Sequence, residues 1–287
     1  MTKIESLLES ARNLTHPACR SCPYSRKGMA FGTCCGEHLY DYRKAGERPL
    51  VMSIGRDPGG TTPEKTGVLC STCNRKNMTD KSAQGAFDLA NAAIIGDMSF
   101  DPDRSRHPYF TRHYVTNVVK HGVPTRGCLS AQEQQVLKGR FDEARLCCSA
   151  ILKEEILALK PVLIKPSGKD AASSLQQMGI LPERSLIDLV ERSPHRLKDY
   201  YGPGKDLLIF CLYHQAIKVT NMTLPRYYSD SVMDEIQELK KGHPGPAAVE
   251  AFIRKYQGVS ETTRRGMMVH LKHWLRLGKL LRDMKEL

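Results

Sequence analysis

Apolar residues recur every three or four positions at the start of the chain, at Ile4, Leu7, Leu8, Ala11 and Leu14, and predict an amphipathic helix to about residue 14. A cysteine-rich, glycine-punctuated stretch follows, from Cys19 to Gly36. The run RPLVMSIG is short, apolar and ended by Gly55, the pattern of a buried strand feeding a loop. The next segment, RDPGGTTPEKTG, is too rich in Gly, Pro and Thr for regular structure. Residues 82–96 return to helical spacing, HYVTNVVK is another β-rich run, and a helix is predicted from about Glu133 to Leu159. After it come the strand VLIKPSG, a helix over GKDAASSLQQMG closed by Gly179, and the strand DLLIFCLY, which ends at His214.

Strands alternating with helices predict an α/β fold, a parallel doubly wound sheet flanked by helices. Such sheets bind ligands beyond the carboxyl ends of their strands, where the polar loops beginning at Gly55, Asn117 and His214 would lie. Beyond Pro225 the pattern changes to three helices separated by Gly or Pro. The expected organisation is therefore an α/β domain over 1–225, with a cysteine-rich N-terminal segment, and a basic helical extension over 226–287. In the last helix Met268, Leu271, Leu275 and Leu281 share a face, with Arg264, Arg265, Lys272, Arg276, Lys279 and Arg282 largely elsewhere. Core packing explains that stripe most simply; a DNA-facing basic surface is the other reading.

Charge sharpens the choice of partner only a little. The chain has 287 residues and an excess of Lys+Arg over Asp+Glu of 43 to 31, or +12. That balance suits a polyanion, whose condensed counterions basic groups release, and equally a basic soluble protein with no such partner. No segment has the length of a membrane span and the N-terminus lacks a signal peptide's apolar core, so a cytoplasmic monomer is expected. Disulfides rarely persist there, and ten cysteines then predict metal ligation, for which Cys19-x-x-Cys22 has suitable spacing.

Three segments, each at a strand end and in the right order, resemble the uracil-DNA glycosylase superfamily. GRDPGGTTPEKTG at 55–67 is similar to its water-activating loop, a Gly-x-x-Pro core followed by an acidic-Lys/Thr-Gly segment. YVTNVVKH at 114–121 is close to the Tyr-x-Thr-Asn-Val-Val-Lys-Cys pattern of the iron–sulfur-containing family four, and LYHQA at 212–216 corresponds to the His-Pro-Ser/Ala motif. The intervening CSAILKEEILALKPVLIKPSGKDAASSL resembles the same family's Cys-x-x-x-Leu, Ile-x-x-Pro and Gly-x-x-Ala stretch. The resemblance spans roughly residues 15–225. It departs at Arg56, where iron–sulfur members usually have Glu, at Asp57, where they have a small residue, at Cys70, where an aromatic normally stacks on the base, and at Gln215, which replaces Pro.

The resemblance implies hydrolysis of the N-glycosidic bond of uracil, or a related deaminated base, in DNA, as in base excision repair. Cleavage builds positive charge on the sugar and negative charge on the departing base, so it calls for a carboxylate near the sugar and a preorganised donor near the base. The flipped base must also be read by hydrogen bonds to its edge. By resemblance Asp57 orients the water, His214 stabilises the leaving base and Asn117 reads it, with Gly55, Arg56, Pro58, Gly59 and Cys70 lining the base site. A non-catalytic nucleic-acid binder of the same fold is the alternative, and a zinc-stabilised hydrolase of a nucleotide-like substrate a weaker third.

The resemblance also selects a 4Fe–4S cluster, held by Cys19, Cys22, Cys148 and either Cys128 or His121, with Cys147 an adjacent alternative to Cys148. A zinc site on Cys19, Cys22 and one of Cys34 or Cys35 is the runner-up. Cys70 and Cys73 could join a metal site or stand as free thiols, and Cys211 reads as a core residue. Met222 and Leu224, in the place where relatives insert an apolar wedge between bases, are wedge candidates.

Overall fold

The computed structural model describes residues 2–25, 30–31, 48–56, 81–99, 107–122, 129–216 and 219–284. They gather into two compact units, Met1–Cys73 with Thr111–Cys211, and Asn74–Phe110 with Leu212–Leu287.

The first unit is mixed α/β. Its strands are β1 (Ala30–Phe31), β2 (Val51–Gly55), β3 (His113–Asn117), β4 (His121–Gly122), β5 (Leu163–Pro166), β6 (His195–Leu197) and β7 (Leu207–Ile209). β1 and β4 form a two-stranded ribbon, and the main sheet has the order β3-β2-β5-β7-β6. β3, β2, β5 and β7 run parallel, with Gly55 directly opposite Asn117 and Ser53 opposite Lys165. The chain winds outward from β2 to β3 on one side and from β5 to β7 on the other. The strand order thus reverses between β2 and β5, the position at which such sheets expose a ligand crevice.

Two expectations are corrected here. The sheet is not wholly parallel, because β6 pairs antiparallel with β7 as a hairpin across 198–206. The last parallel strand is also shorter than DLLIFCLY. Phe210 N–H donates to Ile164 O, but the next bond would need an N–H from Pro166, which has none, and the ladder stops.

The helices of this unit are α1 (Lys3–Arg12), then, taking full-chain numbers, α4 (Ala131–Gly139), α5 (Phe141–Leu159), α6 (Lys169–Gln177) and α7 (Leu186–Glu191). The continuous helix expected over 133–159 is two: Ser130 and Glu133 form a capping box for α4, and the chain turns at Arg140 before α5 begins. α1 buries Ile4, Leu7, Leu8 and Ala11 and packs against α5, which also touches α4 and α6. α6 packs on β2.

The second unit is helical, built from α2 (Lys81–Ala90), α3 (Pro108–Thr111, entering at its edge), α8 (Asp230–Lys241), α9 (Pro246–Lys255) and α10 (Glu261–Asp283). The unit that holds the C-terminal helices therefore also takes in 74–110 and 212–225, not 226–287 alone. α10 is its axis. Met268, Leu271, Leu275 and Leu281 are each at most 2% exposed, Lys272 and Arg276 face Glu235, and Arg265 pairs with Glu261. The apolar stripe is core packing. Gly266 lets α10 touch the wide turn at Val219–Thr223, since a Cβ there would stand 1.9 Å from Thr220 O. Among the described residues no helix is long and apolar enough to cross a membrane.

Candidate active site and cysteine group

Strand alternation sorts the polar residues of the sheet onto two faces. His113, Val115 and Asn117 of β3 share one face with Val51, Ser53 and Gly55 of β2, and with Leu163 and Lys165 of β5. Tyr114 and Thr116 point the other way, towards Glu155 of α5.

Gly55 and Asn117 close the carboxyl ends of β2 and β3, and the two loops are tied together as they leave. Val118 N–H donates to Gly55 O at 2.9 Å, and Val119 N–H to Arg56 O at 3.1 Å. Asn117 is 5% exposed and its side chain lies over Gly55: a Cβ on Gly55 would stand 2.5 Å from Asn117 Oδ1. Among the described residues its buried Nδ2 has no hydrogen-bond partner. A buried amide donor in that state is costly, and a bound ligand or a water can complete its bonding. Gly55→Ala is expected to displace the Asn117 amide while leaving the fold intact, because the clash is with a side-chain oxygen rather than backbone. The side-chain amide resonance of Asn117, measured beside urea denaturation, checks it; an unmoved resonance in a folded Gly55→Ala protein would separate this glycine from Asn117.

Arg56 continues from β2. Its Nε lies 3.2 Å from Asp170 Oδ2 at the start of α6, and its guanidinium carbon lies 4.1 Å from the Phe141 ring centroid. This side chain bridges α5 and α6 beside the point where the strand order reverses. Asp57, Pro58, Gly59, Cys70, Cys73, Cys34, Cys35 and Cys128 lie outside the described residues.

His214 belongs to the second unit and is exposed. Ala216 N–H donates to its Nδ1 at 3.0 Å, so the neutral ring carries its proton on Nε2 as a donor. Of the wedge candidates, Met222 is 61% exposed, whereas Leu224 is fully buried. Leu224 is a core residue and is corrected as a wedge: a side chain packed in the core cannot enter a base step.

Two buried groups were not foreseen. On the Asn117 face, Ser53 Oγ lies 2.6 Å from His113 Nε2, and Lys165 stands opposite Ser53. Burial, with the Lys165 charge second, holds His113 well below its ordinary pKa, and burial alone brings Lys165 down to about 7. In the unfolded chain Lys165 titrates near 10.5, so between about pH 7 and 10.5 the unfolded state binds the extra proton. The stability difference between the protein and Lys165→Met should therefore change in favour of the native lysine as pH rises through that window. Its scale is on the order of several kcal/mol. Parallel urea titrations of the two proteins measure it; curves with no relative change in the window would place Lys165 in contact with water.

The other group is on the opposite face. Lys120 and Glu155 are 1% and 0% exposed and form an ion pair. Tyr114 OH donates to Glu155 Oε1 at 2.9 Å, and Thr116 Oγ1 lies 3.1 Å from Oε2. The sequence signal available for this pair was the lone lysine ending an otherwise apolar Val-Val run, and that signal does not name a partner.

The cysteine residues Cys19, Cys22, Cys147 and Cys148 come from two places, the turn Pro17–Cys19 with its continuation and helix α5. Turn and helix pack together. Cys22 is brought down to about 6, chiefly by Cys148 beside it and against the opposing effect of burial. Cys148 is pushed up by Cys22 and by burial. Cys19 feels Cys22 and Cys147 as neighbouring charges, and burial raises it. Ser21 Oγ lies 3.6 Å from Cys147 Sγ. His121 is 2% exposed in β4, and burial, then Lys120, brings it to about 4, a neutral imidazole at ordinary pH. Among the described residues no group of three or more His, Cys, Asp or Glu side chains stands in a metal-holding arrangement. Cys211 is fully buried and raised to about 12 by burial, a core thiol.

No protein-family model matches this sequence, and no curated protein matches it either.

Proposed function

We propose that the chain is a DNA glycosylase of the uracil-DNA glycosylase type, hydrolysing the bond between a deaminated base and deoxyribose in DNA. The observation that carries this reading is the Asn117 side chain: a buried amide whose N–H donor has no partner among the described residues, laid across a glycine at the carboxyl end of the central strands. The uracil edge presents a carbonyl acceptor beside an N–H donor, and a carboxamide offers the complementary pair. Cytosine presents an amino donor beside a ring acceptor, so an amide fixed in one orientation meets it donor to donor.

Within this reading Asp57 orients the attacking water and supports the positive charge that develops on the sugar. His214, with its proton on Nε2, donates to the departing base as negative charge grows there. The products are the free base and an abasic site. Gly55, Arg56, Pro58, Gly59 and Cys70 are assigned to the surroundings of the base by resemblance. The +12 charge is consistent with DNA as the partner.

A 4Fe–4S cluster is part of the proposal, with zinc as the alternative metal. Its support is the donor set: buried thiols of Cys19, Cys22 and Cys148 on a turn and a helix packed together. Cys128 or His121 would complete it. When bound, the cluster supplies thiolate-ligated iron that staples turn to helix and can exchange an electron. Protein purified without oxygen should contain about four irons and as many sulfides per chain, and Cys22→Ser or Cys148→Ser should lose them. Stoichiometric zinc without iron would replace the cluster by a zinc site.

The test of function is release of base from oligonucleotides carrying one uracil, hypoxanthine or xanthine, with an unmodified strand as control. Release of a deaminated base and an alkali-labile strand support the glycosylase. Binding without release of any base makes the chain a non-catalytic nucleic-acid binder.

A further inference from the structure

The segment that carries Asn117 is fastened at nearly every polar point. Val118 and Val119 give their N–H groups to the neighbouring loop at Gly55 O and Arg56 O. The Asn117 carbonyl accepts from Lys120 Nζ at 2.8 Å. An ammonium has three protons, and all three are placed: on Asn117 O, on Thr116 Oγ1 at 2.7 Å, and on Glu155. Glu155 is held in turn by Tyr114 and Thr116 on the preceding strand. Against this, Asn117 Nδ2 has no partner among the described residues.

A buried ion pair is a poor device for stability, since two well-packed apolar residues of the same volume usually serve as well or better. What an apolar pair cannot do is donate to a main-chain carbonyl. We propose that Lys120 is a positioning residue: through Asn117 O it fixes the backbone from which the Asn117 amide projects, and Glu155 fixes Lys120. The proposal rests on the glycosylase reading for its functional consequence. It makes α5 the support of the base-reading residue, because that helix supplies Glu155 to the Lys120 side chain.

The experiment compares Lys120→Met with the double variant Lys120→Met/Glu155→Gln. The single change strands a buried carboxylate and can fail to fold. The double change removes both charges and keeps a side chain at 155 that Tyr114 and Thr116 can reach. Urea denaturation, single-turnover release of uracil, DNA affinity and the side-chain amide resonance of Asn117, assigned with Asn117→Asp, are measured on parent and double variant. Positioning predicts a double variant of near-parental stability and DNA affinity whose release rate is down by roughly tenfold to a hundredfold, with the Asn117 amide resonance shifted or broadened. A double variant with parental stability, parental release and an unmoved Asn117 resonance overturns the proposal and leaves the pair a packing feature. If the parent itself releases no uracil, the glycosylase reading falls, and the Asn117 resonance still decides whether Lys120 positions it.

Discussion

If the chain acts as the proposed glycosylase, Asp57→Asn and His214→Ala are each expected to lower single-turnover release of uracil by roughly a hundred- to a thousandfold, with little change in DNA affinity. In that reading both groups act on charge that exists only as the bond breaks, so their loss would raise the barrier more than it weakens the complex. For His214 the expectation has a geometric basis. The bond from Ala216 N–H to Nδ1 places the neutral ring's proton on Nε2, and an alanine removes a donor already oriented at no cost during the reaction. Asn117→Asp should behave differently, shifting the choice of base rather than the rate on every base, because it exchanges an edge donor for an acceptor. Rapid-quench measurement of free base, beside binding titrations on the same oligonucleotide, separates the two classes. Parental release rates in both Asp57→Asn and His214→Ala would show that the site is misassigned.

Glu155→Ala is expected to cost about 3–5 kcal/mol of folding stability. The change leaves the Lys120 ammonium 1% exposed with its anionic partner gone, and takes an acceptor from Tyr114 and Thr116. Equilibrium denaturation by guanidinium chloride measures this directly. A loss below about 1 kcal/mol would mean that water reaches Lys120 once the carboxylate is removed. The two large predictions are independent: the first leaves folding untouched, and the second is read without any substrate.

Periodicity alone located most of the elements. The spacing of Ile4, Leu7, Leu8 and Ala11 carried α1, RPLVMSIG carried β2, HYVTNVVK carried β3, and the three C-terminal helices were separated correctly by their Gly and Pro residues. These are local properties, set by which side of an element must be apolar. The break at Arg140 was less legible, because the apolar spacing continues through it and only the Ser130–Glu133 cap and Gly139 mark a separate helix. The early end of β7 depended on a neighbour in space, Pro166 of β5, which a reading along the chain does not see.

The site divides in the same way. Gly55 and Asn117 could be placed at strand ends from their local patterns. Their direct opposition, and the glycine's need to be a glycine, follow only from the parallel register of β2 with β3. Cys19-x-x-Cys22 announced itself by spacing, whereas the contact of Cys22 with Cys148 required α5 to pack on the N-terminal turn. Leu224 and Met222 look alike in sequence and differ completely in exposure. Lys120 and Glu155 are 35 residues apart, and each alone reads as an ordinary surface charge. Burial of charge depends on what the rest of the chain places around it, so that pairing, and the support it gives Asn117, was decided by the tertiary structure.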